Sequence, residues 1–93
     1  MRTAARADAN QPQIVEALRS AGYVVWHIKW PVDLLVGYPG GWLPMEVKDG
    51  AKPPSARALT ADQVQFIGTA PGPTAVVTDP DSAIRAVRAC HEA

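Results

Sequence analysis

The stretch "VDLLVGYPGGWLPMEVKDG", residues 32 to 50, decides how this chain is read. Both flanks of the central glycines carry the period-two alternation of a strand, and "YPGG" between them is a turn. With the turn centred between Pro39 and Gly40, Val36 faces Leu43, Leu34 faces Met45 and Val32 faces Val47. One side of the hairpin is then wholly apolar, as a core face should be. The same register sets Asp33 opposite Glu46, with Cβ atoms about 4.5–5.5 Å apart. Lys48, two residues beyond Glu46, falls on the same side.

Two carboxylates at that separation repel each other, and something must offset the cost. A divalent cation held between them does so, and hard oxygen ligands suit Mg²⁺ or Mn²⁺. Lys48 alone neutralises one acid and leaves the other unpaired. The plainer reading is a solvated outer face with a surface ion pair, which is nearly neutral in energy. Pro44 strains the register, because it donates no ladder hydrogen bond and belongs at an edge or a non-bonded step.

Outward from the hairpin, the pattern predicts an element order α-β-β-β-α-β-α. Asn10 or Gln11 caps a first helix with Pro12 in its first turn. Its apolar stripe is Ile14, Val15, Leu18 and Ala21, and Gly22 stops it. "YVVWHIK" (23–29) reads as a strand, with Trp26 assigned to the core. "GAKPPSARA" (50–58) is a Pro-rich basic loop. Thr60 and Gln63 form a capping box for the next helix, with Leu59 and Val64 as a hydrophobic staple. "TAVVT" (74–78) is a short strand, and Asp79–Pro80 starts a last helix with Ile84 and Val87 facing inward. A helical crossover returning to the same sheet implies an α/β fold: a mixed β-sheet flanked by helices.

Ninety-three residues suffice for one domain with one core. We expect a flexible N-terminus over residues 1–9 and a single domain over 10–93. The balance of nine basic and nine acidic residues argues against a nucleic-acid partner unless the charges are segregated. A single cysteine, Cys90, excludes an internal disulfide framework and a Cys-rich zinc site. No apolar run reaches the ~20 residues that span a bilayer. The opening "MRTAARADAN" lacks the apolar segment of a secretory signal, which points to the cytoplasm.

Asp33, twelve residues, then "EVK" (46–48), on a hairpin after an N-terminal helix, resembles the PD-(D/E)XK nuclease superfamily. The similarity is to its small stand-alone VRR-Nuc branch, known from phages and related to Holliday-junction resolvases. "NQPQIVEALRSAGYVV" resembles that family's first helix and strand, "VDLLVG" and "MEVKDG" its metal hairpin, and "LTADQVQF" its following helix. The family's proline directly precedes the aspartate, whereas here Val32 intervenes after Pro31.

The resemblance implies a restriction-endonuclease-like core and Mg²⁺-dependent hydrolysis of DNA, in a bacterial or phage-infected cytoplasm. Asp33 and Glu46 would bind Mg²⁺ (Mn²⁺ substituting), with the Val47 carbonyl as a further ligand. Lys48 would position or deprotonate water, or steady phosphate charge. Gln63 matches a glutamine beside the family's site, although the capping box is an equal claim on it. Asn10 and Gln11 either cap the helix or reach the site. Glu16 either assists a metal or is solvated. Phosphate contacts are expected from Lys29, Lys52 and Arg57, with Arg2, Arg6 and Arg19 as further candidates. Trp30 and Trp42 would stack or line a dimer surface. A single site cuts one strand, so paired cuts in branched DNA imply a homodimer. A flap, nick or duplex nuclease with the same site, and a non-catalytic nucleic-acid-binding module of the same fold, remain the competing readings.

Overall fold

A computed structural model describes residues 8 to 92, an α/β domain with a four-stranded mixed sheet. The elements are α1 (Gln11–Ser20), β1 (Val24–His27), β2 (Leu34–Tyr38), β3 (Gly41–Val47), α2 (Ala61–Thr69), β4 (Ala75–Val77) and α3 (Pro80–His91). A 3₁₀ turn at Pro54–Ala56 is the one addition to the expected order. β1, β2 and β3 form an antiparallel meander, and β4 joins β3 in parallel after the α2 crossover.

The hairpin has the register its apolar alternation dictates. Leu34 pairs with Met45 and Val36 with Leu43, and Tyr38–Gly41 closes a two-residue turn. Gly40 adopts φ +102°, which a residue with a Cβ rarely adopts, and Pro39 supplies the fixed φ before it. Because the closing pair of such a turn is hydrogen-bonded, Leu35–Pro44 falls at a non-bonded step. The missing donor of Pro44 would face β4, whose ladder begins only at Met45. The proline therefore costs the sheet nothing.

One face of the sheet carries the core. Val25, Leu34, Val36, Leu43, Met45, Val47 and Val77 pack there against Ile14 and Leu18 of α1 and Ala83 and Val87 of α3. Gly22, at φ +95°, ends α1 as expected, while Ala21 lies exposed outside its stripe. The Arg19 guanidinium donates to the Val25 carbonyl at 2.9 Å and ties α1 to β1, so one edge of it is engaged away from any phosphate.

Two expectations change. Trp26 is not in the core but 61% exposed, because Val25 takes the inward position and strand side chains alternate. The helices do not flank the sheet evenly either. α1 and α3 share the core face, while α2, with no buried residue, stands on the other side at one end of the sheet. No helix among the described residues is long and apolar enough to cross a membrane.

Candidate metal and phosphate site

The β2 ladder ends at Leu34, and the chain just before it loops back. The Asp33 carbonyl accepts from the backbone N–H groups of Ile28 (3.0 Å) and Lys29 (3.2 Å), with Lys29 at φ +67°. Residue 47 therefore has no strand partner on that side. Its N–H donates instead to Asp33 Oδ2 at 2.9 Å. In an extended strand the N–H and C=O of one residue leave on the same side, so the Val47 carbonyl is aimed at this same edge.

Glu46 lies on the outer face beside Asp33 yet is only 3% exposed. Its Oε2 receives the Lys48 Nζ at 3.2 Å, while its Oε1 is buried with no hydrogen-bond partner. Burial first, and the Asp33 carboxylate second, push the Glu46 pKa above the ordinary carboxylate range; the Lys48 ammonium offsets this in part. One acid is thus paired with the lysine and the other with a backbone amide.

Lys48 Nζ also donates to Gln63 Oε1 at 3.2 Å. The same oxygen accepts from Thr60 N–H at 2.9 Å, and Thr60 Oγ1 accepts from Gln63 N–H at 3.2 Å. The capping box and the site contact are therefore simultaneous rather than alternatives, because one amide oxygen has two lone pairs. A second tie joins α2 to this corner: the Trp30 indole donates to Asp62 Oδ2 at 3.3 Å. That bond had no sequence signal, since its partners are thirty-two residues apart.

Asn10 sits at the N-cap of α1, but its side chain makes no capping hydrogen bond. Its Nδ2 bridges the carbonyls of Lys48 (3.0 Å) and Thr78 (2.7 Å), just past the ends of the parallel strands β3 and β4. Gln11 is buried, with Nε2 within 3.4 Å of His27 Nδ1 at the end of β1. Among the described residues, the buried side-chain polar atoms without a partner are Asn10 Oδ1, Gln11 Oε1 and Glu46 Oε1. All three are oxygens, and all belong to residues singled out in the sequence.

The remaining candidates lie further out. Glu16 is exposed on α1 and makes no ion pair among the described residues. Lys29 is exposed beside the Asp33 loop. Lys52 is held by Asp8 at 2.7 Å, a contact that raises the lysine pKa, and Arg57 Nε donates to the Lys52 carbonyl at 2.8 Å. Arg2 and Arg6 lie outside the described residues. Asp8, at the edge of the expected flexible terminus, also accepts from Gln11 N–H at 2.9 Å.

The described residues contain no group of three or more His, Cys, Asp and Glu side chains placed to hold a metal. The donor set at this corner is different: two carboxylates and a backbone carbonyl. Of the unpartnered acceptors, Glu46 Oε1 belongs to the carboxylate beside Asp33, and an oxygen there would suit a cation or an ordered water. Comparison with known proteins adds nothing to this geometry: no protein-family model, no curated protein and no solved structure matches the chain.

Proposed function

We propose that this protein is a Mg²⁺-dependent endodeoxyribonuclease with a restriction-endonuclease-like core, of the PD-(D/E)XK type that its sequence resembles. One observation carries the reading: Glu46 keeps a buried, unpartnered carboxylate oxygen beside Asp33, with Lys48 on the same edge. Such an oxygen costs the fold stability until a cation or an ordered water satisfies it, and the neighbouring Asp33 carboxylate favours the cation.

Asp33 and Glu46 would hold the cation, with the Val47 carbonyl as a further ligand. The bound cation supplies an acidified water and charge stabilisation at the phosphate. Lys48, fixed by Glu46 and Gln63, presents an ammonium to the phosphate oxygens. Lys29, Lys52 and Arg57 meet the DNA backbone further out. Branched DNA such as a four-way junction is the expected substrate, cut by a homodimer with one site per strand; flaps, nicks or plain duplex are the alternatives at the same site.

The test is incubation of a labelled four-way junction and a matched duplex with Mg²⁺, Mn²⁺ or EDTA. Metal-dependent cleavage by the wild type and none by Glu46→Gln is expected. Wild-type cleavage by Glu46→Gln removes the assignment. A second reading, a non-catalytic nucleic-acid-binding module, is favoured by the enclosure of Glu46. It predicts DNA binding with no Mg²⁺-dependent turnover.

A further inference from the structure

Trp30 is 70% exposed, the most open large apolar side chain among the described residues. Exposure alone says little, because single surface hydrophobics are common. Its setting says more. Trp30 lies in the loop that the Asp33 carbonyl closes by accepting from the Ile28 and Lys29 amides. Lys29, just before it, is exposed and is the one non-glycine residue with positive φ among those described. A side-chain-bearing residue keeps such a conformation only where its surroundings fix it.

The ring itself is also held. Its indole N–H donates to Asp62 Oδ2 at 3.3 Å. That is the only polar atom of the side chain, so what remains for a ligand is flat apolar surface. Asp62 is followed by Gln63, whose Oε1 receives the Lys48 ammonium at 3.2 Å. The first turn of α2 therefore fixes both an open aromatic ring and the cation that stands beside Glu46.

We propose that Trp30 is a stacking platform for an unpaired nucleobase, with Lys29 against the adjoining phosphate, beside the acid pair. The chemistry of the neighbours selects this occupant. An aromatic ring next to a free cation matches the alternation of base and phosphate along a single strand. Stacking also supplies affinity without charge, which suits a chain with nine basic and nine acidic residues. A base inside a continuous duplex has both faces covered by its neighbours, so the platform is reached only where pairing is interrupted. The inference rests on the nuclease reading for its ligand class and narrows it: the substrate carries unpaired nucleotides at the cut, as in a flap or an opened junction, and plain duplex is disfavoured.

The test is titration, in EDTA, of a single-stranded oligothymidylate carrying one 2-aminopurine, whose fluorescence falls when it stacks. Far-UV circular dichroism is the folding control. The wild type is expected to quench the probe. Trp30→Ala is expected to weaken binding by at least about tenfold. Trp30→Phe, which keeps an aromatic face and loses the indole N–H, is expected to stay within about threefold of wild type. Trp42→Ala, on the sheet face, is expected to change nothing. A wild type that does not quench overturns the proposal. So does a Trp30→Phe protein as weak as Trp30→Ala, which assigns the ring to holding α2 through Asp62. Equal weakening by Trp42→Ala also overturns it, because the adhesion is then unspecific. Cleavage of a flapped and a fully paired duplex in Mg²⁺, scored in parallel, separates the two readings. Trp30-dependent quenching without cleavage by the wild type defeats the nuclease and leaves the platform standing. Mg²⁺-dependent cleavage that Trp30→Ala leaves equally fast on both substrates defeats the platform and leaves the nuclease.

Discussion

Glu46 occupies the position where its ionised form is least favoured. Burial and the neighbouring Asp33 raise its pKa, and Lys48 restores only part of the loss. A carboxylate whose folded pKa lies above its unfolded value costs stability while ionised. That cost stands in full above the folded pKa and is relieved as pH falls towards 4.5. Glu46→Gln keeps the shape and an acceptor for Lys48 while removing the charge. In EDTA at neutral pH it is expected to melt above wild type, by several degrees if about 1 kcal/mol is recovered. Added Mg²⁺ should raise the wild-type Tm and leave the variant where it was; a variant that melts lower in EDTA contradicts the strained-carboxylate reading. Asp33 behaves differently because its Oδ2 is the acceptor for Val47 N–H. Asp33→Asn retains an acceptor oxygen and should fold normally. Asp33→Ala leaves that amide unpaired and should lose about 1–3 kcal/mol in urea denaturation. Equal stability of the two variants would show that the Val47 amide finds another partner.

At the scale of elements, the best-defined local device is the start of α3. Asp79 Oδ1 accepts from Ser82 N–H at 2.7 Å, and Ser82 Oγ accepts from Asp79 N–H at 3.2 Å. The Ser82 amide, then its hydroxyl, lowers the Asp79 pKa below 3.8. A depressed folded pKa gives stability that is full above the unfolded value and lost as pH falls through the folded one. Asp79→Ala is therefore expected to lower Tm at pH 7, with the deficit shrinking below pH 3.8; Asp79→Asn, which still caps, should lose less. Thermal melts followed at 222 nm check this, and a constant deficit across that range would mean the charge plays no part. The Thr60–Gln63 capping box, the Asp79 N-cap and the hairpin register were legible in the sequence, because each depends on residues close in the chain; the Ser82 half of the α3 box was not read. The orientation of β1 was not: "YVVWHI" is apolar on both parities, so nothing local says whether Val25 or Trp26 faces inward. Which of its two expected roles Asn10 takes, capping or reaching the site, was not legible for a related reason. Its capping chemistry is local, whereas the carbonyls it bridges, at Lys48 and Thr78, are brought to it only by tertiary packing.

For the molecule as a whole, the apposition of Asp33 and Glu46 follows from the sequence, but the free charge around them does not. Nine basic residues balance nine acidic ones, and composition cannot say which cations remain unpaired. The structure settles part of it. Lys52 is taken up by Asp8 at 2.7 Å, and Arg19 and Arg57 each spend one donor on a backbone carbonyl. If the protein binds DNA as proposed, the few free cations among the described residues would release few counterions, so the dependence of log K on log salt should be shallow. Each phosphate neutralised contributes about −0.9 to that slope on duplex DNA. Lys29→Ala and Arg57→Ala should each flatten it by about one. Asp8→Ala is the informative variant, because it adds no cation and only releases one. If Lys52 reaches the DNA backbone, freeing it from Asp8 steepens the slope by about one and tightens binding at low salt. Fluorescence-anisotropy titrations with a Mg²⁺-free duplex, repeated across a salt series, measure this directly. A slope unchanged by Asp8→Ala places Lys52 outside the DNA interface and leaves Lys29 and Arg57 as the candidates for phosphate contact among the described residues.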